Sequence, residues 1–136
     1  MKIFIICSKA FYDQVTPIKE ELESKGNVIT LPNCFDNPEE ETEFKDLGCV
    51  EHSKWKKEMF RESEDNVQKN DAVLILNFEK NGIKNYLGGA AFLEMYDAFK
   101  LSKKIFMYNE IPEGMLYDEI VGFSPIILNE DLNLIN

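Results

Sequence analysis

The chain has 136 residues, 25 of them acidic and 15 basic, for a formal net charge of −10. That charge repels phosphate backbones and anionic lipid, which argues against a nucleic-acid polymer or a membrane as partner. One domain over 1–136 accommodates the length, can bury roughly two thirds of its unfolded surface, and draws its core from the 44% hydrophobic residues and ten Phe.

Residues 2–7 (KIFIIC) form a nearly continuous apolar run, the pattern of a strand buried on both faces of a parallel sheet. The run is too short for a signal peptide, and no apolar stretch approaches the ~20 residues of a membrane span. Val15, Ile18 and Leu22 then recur at helical spacing, with Pro17 tolerable in a first turn and Gly26 as a stop, so a helix is predicted over 13–25. A second strand follows over 27–32. The polar, acidic stretch 33–50 has no sustained period and reads as a long loop, a candidate lid.

Trp55, Met59, Phe60, Ser63 and Val67 share one helical stripe, which predicts a helix over 52–69 with Ser63 facing inward. AVLIL at 72–76 is the central strand. Asn81-Gly82 marks a turn, Gly88-Gly89 supplies permissive backbone, and a helix is predicted over 89–101 with Glu94 in its second turn. A strand over 104–108, a short helix over 114–121 and a strand over 125–128 complete the pattern. Strand and helix alternate five times. The predicted fold is therefore α/β, a three-layer doubly wound parallel five-stranded sheet with the flavodoxin-like order 2-1-3-4-5.

In that order, ligands bind at the carboxyl ends of strands one and three, where the direction of winding reverses. The loops 8–12 and 77–89 are thus the first candidates for a site. Ser8 and Lys9 sit where backbone donors face an anion. Asn77, Lys80, Asn85 and Tyr86 leave the correct end of strand three and suit a hydroxyl, phosphate or base, although a solvated loop fits them as well. Glu94 enters from the following helix, whose dipole favours an ionised carboxylate near its start, while Asp97 opposes it by like charge. Asp71 lies at the far end of the strand and reads as structural.

Cys7, Cys34 and Cys49 are odd in number and lack Cys-x-x-Cys spacing, so neither a disulfide framework nor a zinc site is indicated, and reducing cytoplasm fits best. His52, the sole histidine, is a weak partner for a cysteine dyad; Cys7 and Trp55 read as core. No Walker lysine motif, Ser/Thr-rich phosphate loop or acidic pair follows the first strand, against a P-loop enzyme, flavoprotein or phospho-receiver.

The segments NDAVLILN and NYLGGAAFLEMYDAFKLSKKIF, spanning about 70–108, resemble the core of the nucleoside 2-deoxyribosyltransferase superfamily. The features that carry the resemblance are Asp71, Gly88-Gly89, the run Phe92-Leu93-Glu94-Met95, and Lys103-Lys104; the tail resembles an uncharacterised branch of the same superfamily. The resemblance implies that Glu94 is a nucleophile that attacks an anomeric carbon, expels the base and forms a glycosyl-enzyme ester. It further implies a small-molecule nucleoside or nucleotide partner, a homo-oligomer and no metal or other cofactor. Ser63 stands where characterised members carry an aspartate, and Gly88 where some carry an acid, so the proton donor is unassigned. That departure keeps a second reading open, a non-catalytic nucleotide-binding or sensing module; a third is an interaction protein in which Glu94 is incidental.

Overall fold

The computed structural model describes residues 1–135. Five parallel strands, β1 (Lys2–Cys7), β2 (Val28–Thr30), β3 (Ala72–Leu76), β4 (Lys104–Met107) and β5 (Ile126–Ile127), form one sheet in the order 2-1-3-4-5. β1 and β3 pair from Ile3 opposite Ala72 to Cys7 opposite Leu76. Their unbroken apolar runs follow from that central place, since both faces of each strand are covered.

The helices are α1 (Val15–Ser24), α2 (Glu40–Leu47), α3 (Cys49–Lys69), α4 (Gly89–Lys100) and α5 (Tyr117–Gly122). One face of the sheet, Ile3, Ile5, Leu74 and Phe106, buries against Val15, Ile18 and Leu22 of α1. The opposite face, Phe4, Ile6, Val73 and Ile105, buries against Val67 of α3, Met95 and Ala98 of α4, and Ile120 of α5. Each large aliphatic side chain so buried contributes roughly 1.5–3 kcal/mol. Three layers result, as the alternation predicts.

Several boundaries move. The predicted helix over 13–25 is a 3-10 segment, Lys9–Gln14, followed by α1. Ser8 starts the 3-10 segment: its Oγ accepts from the Ala10 N–H at 3.3 Å. The predicted loop over 33–50 contains α2, which buries none of its residues and so carries no inward apolar stripe to read. Gly48, at φ +134°, separates α2 from α3, a backbone angle open to glycine and strained for other residues. α3 accordingly begins at Cys49 rather than 52. Asp71 is structural, its carboxylate accepting from the Lys2 main-chain N–H at 2.8 Å and tying the starts of β1 and β3 together. Among the described residues, no helix is long and apolar enough to cross a membrane.

Candidate active site

A cavity of about 230 Å³ lies at the carboxyl end of β1, between α3 and the start of α4. Ser8, Lys9, Ser63 and Glu94 all line it, so four of the predicted site residues meet at one place. The sheet carries each there. Ser8 and Lys9 follow directly from β1, Ser63 faces inward from α3, and Glu94 sits in the second turn of α4, beyond the Gly88 cap.

The remaining predicted residues lie elsewhere. Asn77 is fully buried and already committed: its Nδ2 donates to the carbonyls of Asn109 (3.1 Å) and Glu110 (2.9 Å), and its Oδ1 accepts from the Asn109 N–H (2.8 Å). It latches β3 to the segment after β4 instead of facing a ligand. Asn85 adopts left-handed backbone, φ 54°, a turn role that asparagine tolerates. Gly88 and Gly89 do not use their conformational freedom, for neither has positive φ and a side chain at 88 would stand an ordinary 3.5 Å from the Tyr86 hydroxyl. Tyr86 packs edge-on to Phe11 and beneath the Lys80 ammonium, 4.6 Å from the ring centre. Lys80 Nζ in turn donates to Ser8 Oγ at 3.2 Å, so this loop reaches the cavity's rim through one lysine.

Other lining residues carry no motif, although Tyr12 ends the 8–12 loop and Asn33 and Cys34 open the 33–50 stretch. The Tyr12 ring packs against Phe35, tilted by 52° with ring centres 5.4 Å apart, and Asn33, Cys34 and Lys56 complete the polar wall. Trp55 is core, 6% exposed as its stripe predicts, and lines the cavity as well. Its indole stacks between Phe44 of α2 and His52, with ring centres 6.3 and 6.1 Å away. The acidic helix α2 thereby sits over the site. Glu41 accepts from His52 Nε2 at 2.9 Å and from Lys56 Nζ at 3.5 Å, Glu39 pairs with Lys9 at 3.6 Å, and the Cys34 thiol donates to Glu40 at 3.3 Å.

Glu94 is half-buried in the cavity wall. Burial pushes its carboxyl up to about 8, Asp97 adds to the rise, and the Ser63 hydroxyl and the Lys56 ammonium oppose it by favouring the anion. The helix dipole favours the anion, but desolvation by burial outweighs it. Burial, with the Glu94 charge added, pushes the Cys7 thiol up to about 12, and burial with the Glu40 hydrogen bond does the same for Cys34. Protonated thiols are poor nucleophiles, which sets both aside as reactive groups. Burial raises Glu41 too, but the His52 hydrogen bond and Lys56 and Lys45 outweigh it and hold that carboxyl below its usual range. Among the described residues no group of three or more His, Cys, Asp or Glu is placed to hold a metal ion.

A wider groove of about 630 Å³ runs outside, between α3 and α4, and shares Lys56, Phe60, Ser63 and Glu94 with the cavity. The cavity is the better candidate for chemistry, because it lies where the sheet's winding reverses. Glu94 stands in the wall between the two.

No family model and no curated protein matches the chain. A solved structure does: the CMP N-glycosidase BcmB of Clostridium botulinum superposes with a TM-score of 0.53, over 93% of this chain and 85% of that one, at 11% identity. What the two share is the fold.

Proposed function

We propose that the chain is an N-glycosidic bond enzyme, a hydrolase or transferase acting on a nucleoside or nucleotide, with Glu94 as its nucleophile. The observation that carries the reading is the Glu94 carboxyl in the wall of a sheltered cavity at the sheet's switch point. Its resemblance to deoxyribosyltransferases and its fold neighbour's action on CMP support the same chemistry.

In the first step an ionised Glu94 oxygen bonds to C1′ while the C1′–N bond breaks; its electron pair leaves with the base, which takes up a proton from solvent. In the second step water attacks C1′ as the C1′–O bond to Glu94 breaks, giving the sugar, the carboxylate and a proton released to solvent, or a second base attacks through nitrogen, loses its N–H proton to solvent and completes a transfer. Tyr12 offers an aromatic ring beside a base, and Ser8 and Lys9 offer polar groups for a phosphate. Lys80, held against the Tyr86 ring and bonded to Ser8, offers a cation at the rim for a ligand that extends beyond the cavity. At about 230 Å³ the cavity falls below the ~300 Å³ at which small-molecule sites begin. Binding a whole nucleotide therefore requires α2 to move outward or the ligand to use the adjoining groove.

One observation favours the non-catalytic nucleotide-binding reading: Ser63 puts a neutral group where related enzymes have an acid. Incubation with a panel of nucleosides and 5′-nucleotides, following free base, separates the two. Base release lost in Glu94→Ala supports the enzyme; release that survives the substitution removes Glu94 as nucleophile. Tight nucleotide binding by calorimetry without release supports the binding module.

A further inference from the structure

We propose that the groove between α3 and α4 is the seat for a phosphate group of the ligand, with Lys57 and Arg61 selecting a phosphorylated nucleoside over the bare one. This rests on the reading of the adjoining cavity as a nucleoside or nucleotide site, and it narrows the substrate class that site takes.

Lys57 and Arg61 stand four residues apart on α3, so they share one face of the helix, and both line the groove. Lys56 of the same helix and Lys100 of α4 bring two more cations to its walls. The carboxylates they meet there are Glu64, Glu94 and Asp97. Four cations against three acids run counter to a chain that carries 15 basic residues against 25 acidic.

Pairing then separates the cations. Lys100 Nζ lies 3.3 Å from Asp97 Oδ1 and 4.8 Å from the centre of the Tyr96 ring. Lys56 Nζ lies 3.5 Å from Glu41. Among the described residues, Lys57 and Arg61 make no hydrogen bond, ion pair or ring contact. Glu94 keeps its proton up to about 8, so at neutral pH Glu64 is the groove carboxylate left to oppose them. On an open helix such a pair is a solvated face. Here it lines a groove of about 630 Å³ that Glu94 also lines.

Lys56, Phe60, Ser63 and Glu94 line both spaces, so a ligand can pass from the cavity to the groove beside Glu94. The cavity alone, at about 230 Å³, is small for a whole nucleotide, and the groove supplies the missing room. On the cavity side, Ser8 Oγ already accepts from Lys80 Nζ at 3.2 Å, and Lys9 pairs with Glu39 at 3.6 Å. A phosphate on Lys9 competes with a carboxylate, whereas one on Lys57 and Arg61 displaces no partner. A guanidinium matches two phosphate oxygens with its planar fork, and the lysine adds a point charge.

The experiment is titration calorimetry in the Glu94→Gln background, where the proposed nucleophile is absent, with CMP, UMP, AMP and GMP, their four nucleosides, and inorganic phosphate. The same titrations are made with Arg61→Ala, Lys57→Ala, Lys9→Ala or Lys54→Ala added, the last an exposed α3 lysine outside the groove. At least one nucleotide should bind about tenfold or more tightly than its nucleoside. Arg61→Ala and Lys57→Ala should each weaken that nucleotide about tenfold, the loss of one charge-assisted hydrogen bond, and leave the nucleoside and the Lys54→Ala control unchanged. No binding, equal affinity for nucleotide and nucleoside, or a loss confined to Lys9→Ala overturns the proposal. Inorganic phosphate bound as tightly as the nucleotide, with the same loss in Arg61→Ala, makes the groove a free-phosphate site and also overturns it. The two readings fail separately. Arg61-dependent nucleotide binding without base release keeps the phosphate seat and removes the enzyme; base release that Arg61→Ala and Lys57→Ala leave untouched keeps the enzyme and removes the seat.

Discussion

Glu94→Gln should stabilise the protein at alkaline pH and leave it unchanged at acid pH. Glu94 titrates near 8 when folded, against 4.5 for an unperturbed glutamate, so the folded state binds its proton more tightly than the unfolded one. Stability from that proton is fully present below about 4.5 and is lost as pH rises through 8. Taken at 1.36 kcal/mol per pH unit, the interval of 8 against 4.5 sets a ceiling of about 5 kcal/mol, and partial exposure of the side chain reduces this to about 2–5 kcal/mol. Glutamine is neutral at every pH and nearly the same shape, so it escapes this loss. At about 3 °C per kcal/mol for a domain of this size, the variant should melt about 6–15 °C higher at pH 9 and within about 1 °C of the parent at pH 4. Thermal unfolding of both proteins across that range is the assay. Groups that the Glu94 charge does not reach titrate alike in the two and subtract out. A gap that does not change with pH, or a glutamine variant less stable at pH 9, would refute the claim that burial governs Glu94.

Asn77→Leu should lower stability by about 3 kcal/mol, because three main-chain groups of Asn109 and Glu110 lose their partner in the interior, while any base release persists; lost turnover in a folded variant would return Asn77 to the site. Glu41→Gln should free α2, which buries no residue of its own and is fastened by Glu41 to His52 and Lys56. Limited proteolysis after Lys45 should then accelerate about fivefold, in line with an exposed ion-pair latch worth about 1 kcal/mol; an unchanged rate would mean that the Phe44–Trp55 stack holds α2 by itself. The exposed side chains Leu93 and Tyr96 of α4 and Phe60 across the groove form an apolar strip beside Glu94, and sedimentation should find a homo-oligomer; a monomer at every concentration tested would remove the shared-site reading.

The sheet was legible because β1 and β3 are apolar on both faces, a pattern that only a central parallel strand requires, and the topology rule then located the cavity before any motif was considered. Glu94, Ser8 and Lys9 followed from that rule; helix phase turned Ser63 inward, and the family resemblance put it among the site residues. α2 escaped notice because periodicity reports burial, and a helix that buries nothing leaves no period. Asn77 was misplaced for a related reason: strand direction tells which end of the sheet a side chain occupies, not which hydrogen bonds it has already made. The Asn33 amide, which donates to Ser63 Oγ, joins residues 30 positions apart, and no local pattern announces such a pair. The ionisation of Glu94 was read from the helix dipole, which acts locally, whereas the burial that outweighs it comes with the whole fold.

The most direct test of the central claim is the mass of the protein after incubation with a nucleotide whose sugar bears a 2′-fluorine, a substituent that slows breakdown of a glycosyl ester. The expected result is a gain of one sugar phosphate, without the base, on the peptide containing Glu94, and no gain in Glu94→Gln. Release of base with no adduct on that peptide, or an adduct that forms equally in Glu94→Gln, would contradict it.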